Sequence, residues 1–222
     1  MEDAFSQKLR GRFIVLDGPD GSGKSTQVRL LSAALVAKGV SCVAVRDPGG
    51  TAIGDKIRQI LLDRSHDEMS VQCELMLYMA SRAQLVSQII RPAIEDGQCV
   101  LSDRYVSSTI AYQGAGGIPP AEVKAVADVA VGGLWPDLTI VLDLPPEVGF
   151  ERISARSGAL GPEFDRMEMK ALEFHHKVRR LFLDQAAQSS DAFRVISAVG
   201  DVQQVHHRVM DALELWRPTA NK

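Results

Sequence analysis

Short, nearly continuous apolar runs alternate along this chain with longer stretches in which apolar residues recur every three or four positions. Phe13, Ile14, Val15 and Leu16, closed by Asp17, form the first run. Runs at 41–45, 98–102, 138–144 and 193–196 follow, each short and rich in β-branched residues. Apolar at almost every position, they suit strands of a parallel sheet covered on both faces. Helical spacing links Val28, Leu30, Leu31, Ala34, Leu35 and Ala37, and returns over 52–62, 71–95, 120–131, 147–155, 167–187 and 202–216. This alternation predicts an α/β fold: a five-stranded parallel sheet, doubly wound, with helices on both faces. Such sheets bind ligands beyond the carboxyl ends of their strands. Asp17, Arg46 and Asp103 fall at those ends and become candidates for chemistry.

The connection after the first strand carries the strongest signal. Gly18, Pro19, Asp20, Gly21, Ser22, Gly23, Lys24 and Ser25 fit the phosphate-loop pattern G-x-x-x-x-G-K-S/T, between a strand and a helix as the motif requires. Backbone N–H groups of such a loop converge on an anion, and the helix N-terminus adds its positive dipole end. Lys24 then serves the β- and γ-phosphates, and the Ser25 hydroxyl suits Mg²⁺. The motif predicts binding of a nucleoside triphosphate.

Composition narrows the partners. The 222 residues suffice for one sizeable domain, and a net charge of −3 with 5% aromatics argues against nucleic acid. No apolar stretch reaches the length of a membrane helix, and residues 1–12 lack the apolar core of a signal peptide. Cys42, Cys73 and Cys99 are odd in number and widely spaced, which fits reduced thiols and a cytoplasmic location. The adjacent pairs His175–His176 and His206–His207 lack the i, i+4 spacing of a zinc helix and read as surface residues.

Absences exclude other phosphate-loop classes. A GTPase would carry N-K-x-D, yet the only asparagine is Asn221, and no transporter-type L-S-G-G-Q signature is present. A small kinase acting on a small acceptor remains. Asp103-Arg104 after the third strand sets a carboxylate suited to Mg²⁺ beside a guanidinium suited to a phosphate. Arg46 stands at the mouth of Asp47-Pro48-Gly49-Gly50-Thr51, a tight turn that lets a ligand approach the backbone.

Taken together, 18–26, 46–51 and 103–113 resemble the thymidylate kinases (dTMP kinases). The similarity extends through 77–82, 111–114, 136–138 and 165–168, and so covers the chain from Arg12 to about Leu215. Asp47 departs from the family's usual glutamate. The resemblance implies one phosphate-loop nucleoside monophosphate kinase domain spanning 1–222, with a lid about 152–166 and a flexible tail at 1–11. It implies ATP with Mg²⁺ as donor, dTMP as acceptor, and a homodimer packed through long helices such as 71–95.

Site roles follow from the same resemblance. Residues 18–26, Thr26 included, hold the donor, with Ser25 and Asp103 on the metal. Asp20 contacts the sugar 3′-hydroxyl, Arg46 and Arg104 hold the acceptor phosphate, and Tyr78 stacks on thymine. Arg82 hydrogen-bonds the base, Tyr112 packs where a ribose 2′-hydroxyl would sit, and Thr109 and Gln113 complete the base pocket. Some members carry a basic residue directly after the loop acid, where this chain has Gly21. The charge for the transferring phosphoryl would then come from lid arginines, here Arg152, Arg156 and Arg166, with Lys24. Kinases of dUMP, dCMP or a deoxynucleoside, and an inactive nucleotide sensor, are the competing readings.

Overall fold

The computed structural model describes residues 4–156, without the Arg156 side chain, and 165–218. Five strands form one parallel sheet in the order β2-β3-β1-β4-β5. They are β1 (Phe13–Asp17), β2 (Cys42–Arg46), β3 (Cys99–Asp103), β4 (Leu138–Asp143) and β5 (Phe193–Ser197). Each expected strand is present, with ends displaced by a residue at most. The central strand β1 is buried at all five positions, as a strand covered on both faces must be.

Alternate side chains of the strands feed two apolar layers, because successive residues point to opposite faces. Ile14, Leu16, Leu101, Ile140 and Leu142 pack against α2 (Lys24–Ala37) and α10 (Val202–Leu215). Phe13, Val15 and Val100 face α4 (Val71–Leu85), α6 (Val106–Ala115) and α7 (Pro120–Val131). A smaller cluster joins α6 to α9 (Leu172–Gln188) through Ala111, Tyr112, Val178 and Phe182. The helices α3 (Ala52–Leu62), α5 (Arg91–Glu95) and α8 (Pro146–Arg156) complete the framework.

Several expectations need correction. The stretch 1–11 is not a free tail over its described part: Ala4–Leu9 forms helix α1. Leu9 is fully buried, and Lys8 Nζ donates to the carbonyls of Leu213, Glu214 and Trp216 at the end of α10. A cation on terminal helix carbonyls both satisfies them and complements the dipole. The long helix over 71–95 is interrupted by a π-helical turn at Val86–Ile90. The helix expected from residue 167 starts at Leu172, because Asp165 Oδ1 accepts the N–H groups of Met167 and Glu168 and holds that segment in a turn. Helix α6 was not foreseen. Every residue from Val106 to Gln113 is buried, so no polar face reveals its period.

His175 is likewise interior rather than on the surface. It lies on the inner side of α9, its ring edge-on to both Phe150 and Phe174, and burial pushes its pKa below the ordinary value.

Replacing Leu9 by alanine is expected to lower unfolding free energy by about 2–5 kcal/mol, the usual cost of emptying a filled core site. Chemical denaturation measures this, and an unchanged midpoint would mean that α1 is not docked.

Candidate active site

The first turn after β1 is built from backbone rather than side chains. Gly18 and Gly21 both have positive φ, and added Cβ atoms would lie 2.5 Å from the Leu142 carbonyl oxygen and 2.4 Å from the Gly149 carbonyl oxygen. Gly149 meets the same contact from the other side, 2.4 Å from the Asp20 carbonyl oxygen. The phosphate loop and α8 therefore touch backbone to backbone. A basic residue at position 21 does not fit this packing, which gives the sequence departure a steric reason.

Asp17 anchors what surrounds the loop. Fully buried, it accepts from the Gly18 N–H at 2.9 Å, Ser107 Oγ at 2.6 Å and Ser108 Oγ at 2.7 Å. Three donors satisfy a carboxylate that would be costly to bury alone. Ser108 Oγ also accepts from Arg104 Nη1 at 2.9 Å, so the buried acid steers the guanidinium through a serine.

Arg104 is the one described non-glycine residue with positive φ, at 72°. Left-handed backbone in a bulky residue marks a site held by its surroundings. Its Nη2 pairs with Asp20, and its guanidinium carbon lies 5.1 Å over the Tyr112 ring. Tyr112 Oη donates to Asp20 Oδ2 at 2.6 Å. Burial pushes the Asp20 carboxyl up, but Arg104, Lys24 and the Tyr112 hydrogen bond outweigh it and hold the pKa below the usual range. Asp20, Arg104 and Tyr112 thus form one hydrogen-bonded cluster around an ion pair.

Lys24 folds back on the loop, donating to the carbonyls of Gly18 at 3.0 Å and Pro19 at 2.7 Å and to Ser22 Oγ at 3.3 Å. Burial, then the nearby Arg104 charge, pushes its ammonium down to about 8 despite Asp20 and Asp103. Ser25 Oγ donates to Asp103 Oδ2 at 2.5 Å, joining the start of α2 to the end of β3.

These residues open onto a cleft of about 690 Å³. Asp20 to Gln27 line it with Arg46, Tyr78, Arg82, Asp103, Arg104, Thr109, Tyr112, Gln113 and Arg152. Gly18 and Pro19 are buried beneath the loop. Almost every expected site residue is therefore brought to one place. Arg46 is half-exposed and 3.3 Å from Asp55. Arg82 is buried, bonding Asp47 Oδ2 at 2.5 Å and Thr109 Oγ1 at 3.1 Å.

The expected lid arginines divide. Arg152 reaches the cleft, where its guanidinium holds the carbonyls of Ala198, Gly200 and Gly21. Arg166 departs from expectation: it is buried away from the cleft surface, on Glu74 and the Leu61 carbonyl. The Arg156 side chain and residues 157–164 lie outside the described residues.

Sequence reasoning passed over Asp17's serine partners, Glu74 and Arg58. Arg58 lines the cleft and donates to the Pro48 carbonyl at 3.1 Å. Burial, then the Arg46 charge, lowers its pKa. Nothing local separates it from any helix arginine; only the packing of α3 over the Pro48 turn brings it in.

Comparison with known proteins decides the family. The thymidylate kinase family profile matches residues 16–209. The chain belongs to the thymidylate kinase family. A thymidylate kinase of Nitratidesulfovibrio vulgaris (strain Miyazaki F) is 45% identical over 204 residues, covering 90% of this chain and 95% of that protein. Thymidylate kinases of Oleidesulfovibrio alaskensis and Syntrophotalea carbinolica are 43% and 42% identical, over 90% and 94% of this chain and 96% and 95% of theirs. Among the described residues, no helix is long and apolar enough to cross a membrane.

The lowered Lys24 pKa has a direct consequence for this thymidylate kinase family member. A charged Lys24 suits a polyanionic ligand, and burial brings the pH at which the free protein loses that charge down to about 8. The ATP dissociation constant is expected to be flat from about pH 7 to the Lys24 pKa, then to rise about tenfold per pH unit, as loss of one linked proton requires. Calorimetric titration across that range checks it, and a flat profile to pH 9.5 or so would contradict it.

Proposed function

We propose that the cleft between the phosphate loop, α4 and α6 is where this chain transfers the ATP γ-phosphoryl to dTMP, giving ADP and dTDP for dTTP synthesis. The observation that carries the reading is the Asp20–Arg104–Tyr112 cluster at the mouth of a phosphate loop in a thymidylate kinase family chain. Kinases of other small acceptors would share the loop, but dTMP follows from family membership.

The donor lies on Gly18 to Thr26, whose N–H groups and Lys24 meet its phosphates. Arg46 and Arg104 hold the acceptor phosphate, with Arg58 adding positive charge to the same wall. Tyr78 stacks on the base, Arg82, Thr109 and Gln113 face its edge, and Tyr112 closes the sugar side. Asp20 accepts the 3′-hydroxyl, exchanging part of its contact with Arg104. Residues about 152–166 serve as the lid of one kinase domain. Of its arginines with described side chains, Arg152 meets the loop at the Gly21 carbonyl.

The acceptor oxygen is already anionic near neutral pH, so no strong base is needed. Alignment and cancellation of charge on the transferring group do the work. Ser25 and Asp103 fit Mg²⁺, since both offer hard oxygens and stand 2.5 Å apart beside Lys24. When bound there, the ion would neutralise phosphate charge.

A homodimer in the cytoplasm completes the reading. Met76 on α4 and Ile53 and Ile60 on α3 are exposed apolar residues on two helices that pack together, a surface suited to a second copy. The three cysteines are free thiols, which suits a reducing compartment.

ADP release across dTMP, dUMP, dCMP, AMP, GMP and thymidine tests the reaction. The highest kcat/KM is expected with dTMP; preference for another acceptor would overturn the substrate, and ATP binding without turnover would overturn the activity. Arg104→Ala is expected to raise the dTMP KM and lower kcat/KM on the order of 10³-fold, the scale of losing a charge-stabilising arginine. Wild-type kinetics in that variant would remove Arg104 from the phosphate clamp. Met76→Asp is expected to convert the dimer to monomer in sedimentation velocity.

A further inference from the structure

Glu74 sits one layer behind the cleft, 4% exposed and outside its lining. Its two oxygens hold different partners: Oε2 accepts from Arg166 Nη2, and Oε1 accepts from Gln113 Nε2 at 2.6 Å. Arg166 is itself fixed by donating from Nε to the Leu61 carbonyl at 3.0 Å. Gln113 is 1% exposed and lines the cleft from α6, one residue after Tyr112, as Tyr78 does from α4.

A primary amide has one donating and one accepting end. An ionised carboxylate accepts only, so Glu74 fixes which end of Gln113 points away from it. With Nε2 turned to Glu74, the opposite end of the amide is its carbonyl Oε1, an acceptor for a ligand. An acceptor in the cleft matches a pyrimidine that carries N3–H, as thymine and uracil do. It opposes cytosine, whose N3 is itself an acceptor.

We propose that Glu74, held by Arg166, is a positioning residue that sets base specificity by locking the Gln113 amide with its oxygen toward the cleft. The inference rests on the reading that the acceptor base lies against Gln113. It also gives the buried Arg166 a task. As a permanent donor, Arg166 ensures that position 74 presents an acceptor to it, which leaves the other oxygen for Gln113.

Glu74→Gln separates this from plain packing, because it keeps shape and changes only polarity. Its amide oxygen must go to Arg166, so its N–H₂ faces Gln113 and the Gln113 amide turns over. A donor then faces the base. The ratio of kcat/KM for dTMP over dCMP is expected to fall at least about tenfold, as expected when a buried hydrogen-bond partner acquires the wrong polarity. The ATP dissociation constant should stay within about twofold, since the donor phosphates lie on another wall. A ratio unchanged within about twofold would overturn the proposal, as would equal losses on both acceptors. Should that variant not fold, binding of N3-methyl-dTMP to the wild-type protein decides: a loss of about tenfold or more against dTMP is expected, and equal affinity would overturn it. Wild-type turnover of dTMP tests the underlying function separately, so either can fail alone.

Discussion

The carboxylate of Asp17, buried at the end of the central strand, is the interaction on which the site depends. A charge there is tolerated only because a backbone N–H and two serine hydroxyls converge on it. Those donors come from the phosphate loop and from α6, so satisfying one acid fixes the loop against the helix that carries Tyr112 and Gln113. Through Ser108 the same acid orients Arg104. The strand therefore positions the loop and α6 by obeying the rule that buried polar groups are partnered.

A second constraint is close backbone approach. Gly21 and Gly149 bring the loop and α8 into direct contact, which fixes the loop's curvature without any side chain. It also closes position 21 to a basic residue, so positive charge must come from elsewhere. Arg46, Arg58, Arg104 and Arg152 all reach the cleft from other elements. The cost of crowding them appears as lowered pKa values at Lys24 and Arg58, each led by burial. At Lys24, Asp20 and then Asp103 partly offset it, and a polyanionic ligand would do so further.

Buried ion pairs brace one side of the cleft, one in its wall and one behind it. Arg82 on Asp47 and Arg166 on Glu74 are both almost wholly enclosed. Removing one member of such a pair is far more costly than the pair itself is favourable, so these pairs act as rigid brackets. Each holds a residue that faces the cleft: Arg82 bonds Thr109, and Glu74 bonds Gln113. The shortened acid at position 47 still reaches its arginine, which makes its departure from the family's glutamate tolerable.

Strands, most helices, the phosphate loop and the family were legible in the chain, because each depends on local order: apolar period, glycine spacing, motif sequence. Lys24 and Ser25 were legible from the loop motif, and Asp103 and Arg104 from their place at the end of β3. Other features depend on what stands opposite, which local sequence does not encode. Helix α6 is buried all round, so its period vanished; α1 docks through Leu9 in the core and Lys8 on the last carbonyls of α10. His175 looked like a surface residue until Phe150 and Phe174 enclosed it, and Arg166 looked like a lid charge until Glu74 claimed it. By itself the sequence determined the sheet, the loop and the chemistry at strand ends. Only the tertiary structure decided which charges face a ligand and which face each other, because that choice is made by burial and by partners distant along the chain.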